Sequence, residues 1–114
     1  MESILTSIKK MLGIAEDYTH FDADITMHIN SVFMTLRQLG VGPSTGFRIE
    51  DKSTLWSDFI PSDDLTMEAV KTYIYLKVRL VFDPPTSSAA MTAMQEMAKE
   101  YEWRLNASAE SDVT

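Results

Sequence analysis

The sequence predicts a mainly α fold: a four-helix bundle-like subunit with a β-hairpin or long ordered loop between its second and third helices. Three observations carry this. Apolar residues recur at three- and four-residue spacing in four separate stretches. Three of the four glycines and two of the four prolines gather between residues 40 and 62, where no regular helix runs through them. A chain of 114 residues, 45% apolar, has the size of one domain and the material for one core.

The first helix is read over 3–12, with Ile4, Leu5, Ile8, Met11 and Leu12 on one face and Gly13 placed to stop it in the left-handed conformation. The second is read over 20–39. Thr19 and Asp22 form a capping-box-like pair, and Phe21, Ile25, Ile29, Val32, Phe33, Leu36 and Leu39 recur until Gly40. In the 40–62 stretch Phe47, Ile49, Leu55, Trp56 and Phe59 interrupt polar letters, and Glu50 to Thr54 read as a turn. A stretch of this length without regular structure is unusual in a compact domain and is often functional.

Ser62, Asp63 and Asp64 supply a cap and first-turn negative charge for a third helix over 65–82, stopped by Asp83-Pro84-Pro85. Only Glu68, Thr72 and Arg79 make a polar strip on it, so it is read as central to its own bundle or shared with a neighbouring chain. Ser87 or Ser88 caps a fourth helix over 88–105, with a stripe of Ala90, Met91, Met94, Met97, Ala98, Tyr101 and Leu105. The reading is one domain over 1–106 and a small, polar, flexible tail over 107–114.

Composition narrows function. Ten basic residues against seventeen acidic give a net charge of −7, spread along the chain, and such a chain repels phosphate backbones. No cysteine is present, which excludes disulfides, thiolate metal sites and cysteine nucleophiles. No apolar run approaches the ~18 residues of a membrane span, and the opening residues Glu2, Ser3 and Ile4 begin no leader, so a soluble chain acting where it is made is expected. Two histidines, no Gly-rich phosphate loop and no metal-ligand spacing leave few tools for catalysis, so no enzyme activity, cofactor or metal is expected.

Individual residues were weighed against ordinary packing. His20 and His28 have no second ligand at metal spacing. Asp22 and Asp24 suit the positive end of a helix, as do Asp58, Asp63 and Asp64 beside a cap. Met27 and Met34, seven apart, fall opposite their helix's apolar stripe and are read as a subunit contact, where adaptable methionines are frequent. Lys77 projects into the middle of an apolar arc and must snorkel or pair, and a pair across a subunit boundary makes it an interface candidate. Phe47, Ile49, Leu55, Trp56 and Phe59 need burial somewhere; the reading sets them in a projecting loop against a neighbouring subunit. Trp103 lies opposite the last stripe, with Arg104 beside it, and is read either as an exposed anchor for a partner or as packing on the 40–62 stretch.

Three stretches, FDADITMHINSVFMTLRQLGVGP (21–43), VKTYIYLKVRLVFDPPTSS (70–88) and EWRLN (102–106), resemble the small head-tail connector, or adaptor, proteins of long-tailed bacteriophages. The similarity spans roughly residues 4 to 106, and the LGVGP turn and LVFDPPTSS helix break are its most specific pair. The resemblance implies a helical subunit that assembles into a dodecameric ring and docks beneath the portal at the capsid vertex, with Trp103 and Arg104 as portal-binding candidates. It implies a further surface for stopper or tail-completion components, and DNA that passes through the channel without specific binding. It implies no enzyme activity, no cofactor and no membrane. The alternative is a small helical regulator that binds another protein or DNA. No helix offers a basic face for DNA: the last sets Glu96, Glu100 and Glu102 against Lys99 and Arg104.

Overall fold

The computed structural model describes residues 2–61 and 65–112, and its helices are α1 (Ile4–Met11), α2 (Asp22–Gln38), α3 (Trp56–Phe59), α4 (Leu65–Phe82) and α5 (Ser88–Asp112). Local chemistry sets most of the boundaries. The Ser3 side chain accepts the Thr6 N–H at 3.2 Å and opens α1. α1 and α2 end in the same way, with a glycine at positive φ (Gly13 +80°, Gly40 +83°) followed by an apolar residue. The Ile14 N–H reaches back to the Lys9 carbonyl, and the Val41 N–H to that of Leu36, both at 2.9 Å. These six-residue closures satisfy carbonyls that the helix itself leaves open. Phe82 ends α4 just before Asp83-Pro84-Pro85, and the Ser87 hydroxyl accepts the Ala90 N–H at 3.0 Å to start α5.

α4 is the central helix, with α1, α2 and α5 packed around it. Met67, Val70, Tyr73, Ile74, Leu76 and Val78 are buried, which accounts for most of its apolar sequence, while Leu65 and Val81 near its ends are exposed. α2 and α5 both run antiparallel to α4. Phe21, just before α2, meets Phe82 at the end of α4 with ring centroids 5.3 Å apart, and the Tyr73 hydroxyl donates to Glu102 of α5 at 2.9 Å. The principal dimensions, 43 × 35 × 21 Å, give a slab about two helices thick.

The 40–55 stretch departs from one of its two readings: among the described residues there is no hairpin. The stretch is an ordered loop leading into α3, and its one ladder element is an isolated antiparallel bridge between Ser3 and Leu55. Around that bridge the Ile4 N–H bonds to the Thr54 carbonyl and the Trp56 N–H to the Glu2 carbonyl, each at 3.1 Å, so residues 2–4 and 54–56 clasp each other. Asn30 on α2 does the work that a partner strand would do. Its Nδ2 donates to the Ile49 carbonyl at 3.0 Å, and its Oδ1 accepts the Ile49 N–H at 2.7 Å. At Gly42 (φ +90°) the ring of Phe59 occupies the space that a side chain would need, so only glycine fits there.

Two further expectations, on the start of α2 and on the end of α5, are corrected. The Thr19/Asp22 capping pair does not form, because the Asp22 carboxylate turns to Lys9; α2 starts at Asp22, with only a backbone bond from the Asp22 N–H to the Thr19 carbonyl. Asp58 caps α3, accepting the Leu55 N–H at 2.8 Å, whereas Ser62, Asp63 and Asp64 lie outside the described residues. α5 runs to Asp112 rather than 105, so the helix takes up most of the segment read as a flexible tail. Asn106 Nδ2 donates to the Leu39 carbonyl at 3.2 Å, and Ala109 packs against the core beside Gly40. Alanines at 107 and 109 favour helix, and the end of α2 gives them a surface to rest on.

Candidate interaction surfaces

The loop candidates are corrected first. Ile49, Trp56 and Phe59 are buried in the chain's own core, Ile49 to 1% exposure. Phe47 packs its ring on Phe33 and Phe59, with centroids 5.0 and 5.1 Å apart, and Leu55 is half-buried. Trp56 is held on every side: its Nε1 donates to the Ser7 hydroxyl at 2.9 Å, and Lys71 lies over its ring, 5.6 Å from the centroid. Ile49, Trp56 and Phe59 are thus taken up by the chain's own core, whereas Phe47 and Leu55 keep part of their surface in solvent. Asn30 folds the loop back onto α2, so it does not project.

Lys77 finds its partner inside the chain. Its Nζ lies 3.8 Å from a Glu102 oxygen, and the same carboxylate accepts the Tyr73 hydroxyl. Burial, followed by the bond to Glu102, raises the Tyr73 pKa and holds the phenol protonated. The cluster joins α4 to α5.

A charged pair that the sequence reading passed over is more deeply placed. Lys9 is 2% exposed; its Nζ lies 2.9 Å from Asp22 Oδ1 and donates to the Glu16 carbonyl at 3.0 Å. Lys9 falls one turn after Leu5 on the covered side of α1, and that spacing is the signal by which it is legible. The pair stands at a cleft of about 550 Å³ bordered by α1, the start of α2 and residues Glu50 to Lys52. The opposite charges of Lys9 and Asp22 meet there as an ion pair that fastens α1 to α2, although Asp22 Oδ1 makes no well-directed hydrogen bond. Among the described residues no group of three His, Asp or Glu side chains is set to hold a metal ion. His20 and His28 pack instead against aromatic rings, Phe21 and Phe82 respectively.

Exposed apolar side chains are spread over several elements, with Met11 on α1, Tyr18 before α2 and Leu65 and Val81 at the two ends of α4, besides those of α2 and α5. On α2 the core stripe of Ile25, Ile29, Val32, Phe33 and Leu36 turns Met27 and Met34 outward, 58% and 67% exposed. Beside Met34, the loop held by Asn30 forms the second wall of an open groove of about 550 Å³, lined by Asn30, Met34, Thr45, Gly46, Phe47 and Arg48. Among the described side chains of α5, Ala98 and Leu105 alone are buried; Met97 is exposed, and Trp103 stands out at 72%. Arg104 pairs with Glu100 at 2.6 Å and Lys99 with Glu96 at 3.8 Å, both on the surface. No described helix is long and apolar enough to cross a membrane.

The profile of a family described as phage connector protein matches residues 4–112. No curated protein and no solved structure matches the chain.

Proposed function

The chain belongs to the phage connector protein family, and on that premise we propose that it is the head-tail connector, or adaptor, of a long-tailed phage virion. In this reading its copies form a ring, dodecameric in the virion, beneath the portal at the capsid vertex. The ring joins the portal to stopper or tail-completion components around the DNA channel. The observation that carries the reading is the family match, which runs through nearly all of the described fold. The role is structural, and the exposed apolar groups on α2 and α5 supply contact surface that the chain's own core leaves unused. A net charge of −7 suits a channel wall past which DNA slides without sticking. Trp103 and Arg104, the portal-binding candidates of the sequence, are divided in this reading: Arg104 faces the portal, and Trp103, 72% exposed, meets a neighbouring copy.

The test is addition of the purified protein to portal-bearing capsids that lack it, followed by electron microscopy of the vertex. A ring of added density beneath the portal is expected. Capsids that stay bare at every concentration refute the reading. Sequence-specific retention of duplex DNA would favour a DNA-binding regulator instead.

A further inference from the structure

Taking the connector reading as given, we propose that the groove between α2 and residues 45–48 receives Trp103 of a second copy, so that neighbouring subunits meet head to tail. The groove is floored by Met34 and Phe47 and rimmed by Arg48. Its volume of about 550 Å³ lies within the range of clefts that take up a small aromatic group. Thioether and guanidinium groups are the partners an indole favours.

Charge argues for another copy of this chain as the occupant. From Ile25 to Leu36 α2 carries no charged side chain, so two chains of net charge −7 approach here without opposing carboxylates. Arg48 is exposed and has no ion pair among the described residues. On α5, Glu96 and Glu100 lie seven and three residues before Trp103, on the same side of the helix. Their partners, Lys99 and Arg104, are surface pairs of little net worth, which leaves those carboxylates available to Arg48.

The groove is lined by residues of α2 and of the 45–48 loop and by none of α5, so groove and indole are different patches of one subunit. A contact between two different patches is heterologous, and it repeats from copy to copy until a ring closes.

The chain has no cysteine, so introduced ones report alone. One variant carries Thr45→Cys on the groove rim and another Lys99→Cys, one turn before Trp103. They are mixed at assembling concentration with a short bismaleimide. A mixed linked dimer at least tenfold above either variant alone is expected, and a chain carrying both substitutions should give a ladder of linked oligomers. Adding Trp103→Ala to the Lys99→Cys chain, or Met34→Glu to the Thr45→Cys chain, should cut the mixed product more than tenfold while leaving the melting temperature within a few degrees. Predominant Thr45→Cys self-linking would overturn the proposal in favour of a symmetric contact. Absence of the mixed product in rings that do assemble on portal-bearing capsids would overturn it and leave the connector role standing. Absence of any assembly would overturn both.

Discussion

Replacing Asn30 by alanine removes both bonds that tie Ile49 to α2, at 3.0 and 2.7 Å. Each is worth about 1 kcal/mol net, so the pair contributes about 2 kcal/mol. Ile49 is 1% exposed, and its freed N–H and carbonyl gain water only if the loop opens; if they stay buried the loss rises by a further ~1–3 kcal/mol for each group. Alanine returns about 0.5 kcal/mol because it favours the helix interior more than asparagine. The net loss is at least about 1.5 kcal/mol, a fall in melting temperature of about 6 °C or more for a domain of this size. Thermal unfolding followed by circular dichroism measures it, with Ser31→Ala as control. That exposed hydroxyl bonds only back to the Met27 carbonyl, so its loss should shift melting little. Amide exchange at Ile49 should accelerate by roughly tenfold or more in Asn30→Ala. Melting indistinguishable from that of the control would show that the loop is held by its aromatic residues alone, and the argument from Asn30 would fail.

Ile49→Ser combined with Trp56→Ser should unfold the chain, because each truncation in the core costs about 3 to 5 kcal/mol and a small domain has only ~5 to 15 in hand. Loss of the helical dichroism signal checks it; a folded chain that merely fails to assemble would place both residues at a subunit boundary. Lys9→Met should lower stability by about 1 to 3 kcal/mol, below the range for a fully buried pair because Asp22 keeps about a third of its side-chain surface in water. Adding Asp22→Asn should recover more than half of that loss in urea titrations, and additive losses from the two substitutions would show that the ions do not interact.

The four long helices were legible because periodicity, glycine stops and the double-proline break are local signals. Gly13, Gly40 and Pro84 act within a turn or two of where they stand. An ordered loop between the second and third long helices was one of two readings, but what holds it in place was not legible. Its order comes from Asn30, nineteen residues before Ile49, and from Ser7, forty-nine before Trp56, and neither pairing leaves a spacing pattern. The same blindness sent Ile49, Trp56 and Phe59 to a neighbouring subunit: large apolar residues among turn formers signal a need for burial without saying where. Met27 and Met34 were placed correctly as exposed because helical projection alone decides it, and Trp103 is exposed as in the first of its two readings. Lys77 was seen as needing a partner, but Glu102 on another helix could not be named. The end of α5 escaped because Leu39 and Gly40, which support it, are remote in sequence.

The clasp between residues 2–4 and 54–56 also bears on synthesis of the chain. α1 leaves the ribosome before the segment that locks it, Thr54 to Trp56, which follows some fifty residues later. At ~5 to 20 residues per second the apolar face of α1 waits roughly 3 to 10 s for that partner. During that interval Ile4, Leu5 and Ile8 offer an uncovered apolar surface, and a chaperone acting on this protein at the ribosome has its opening there.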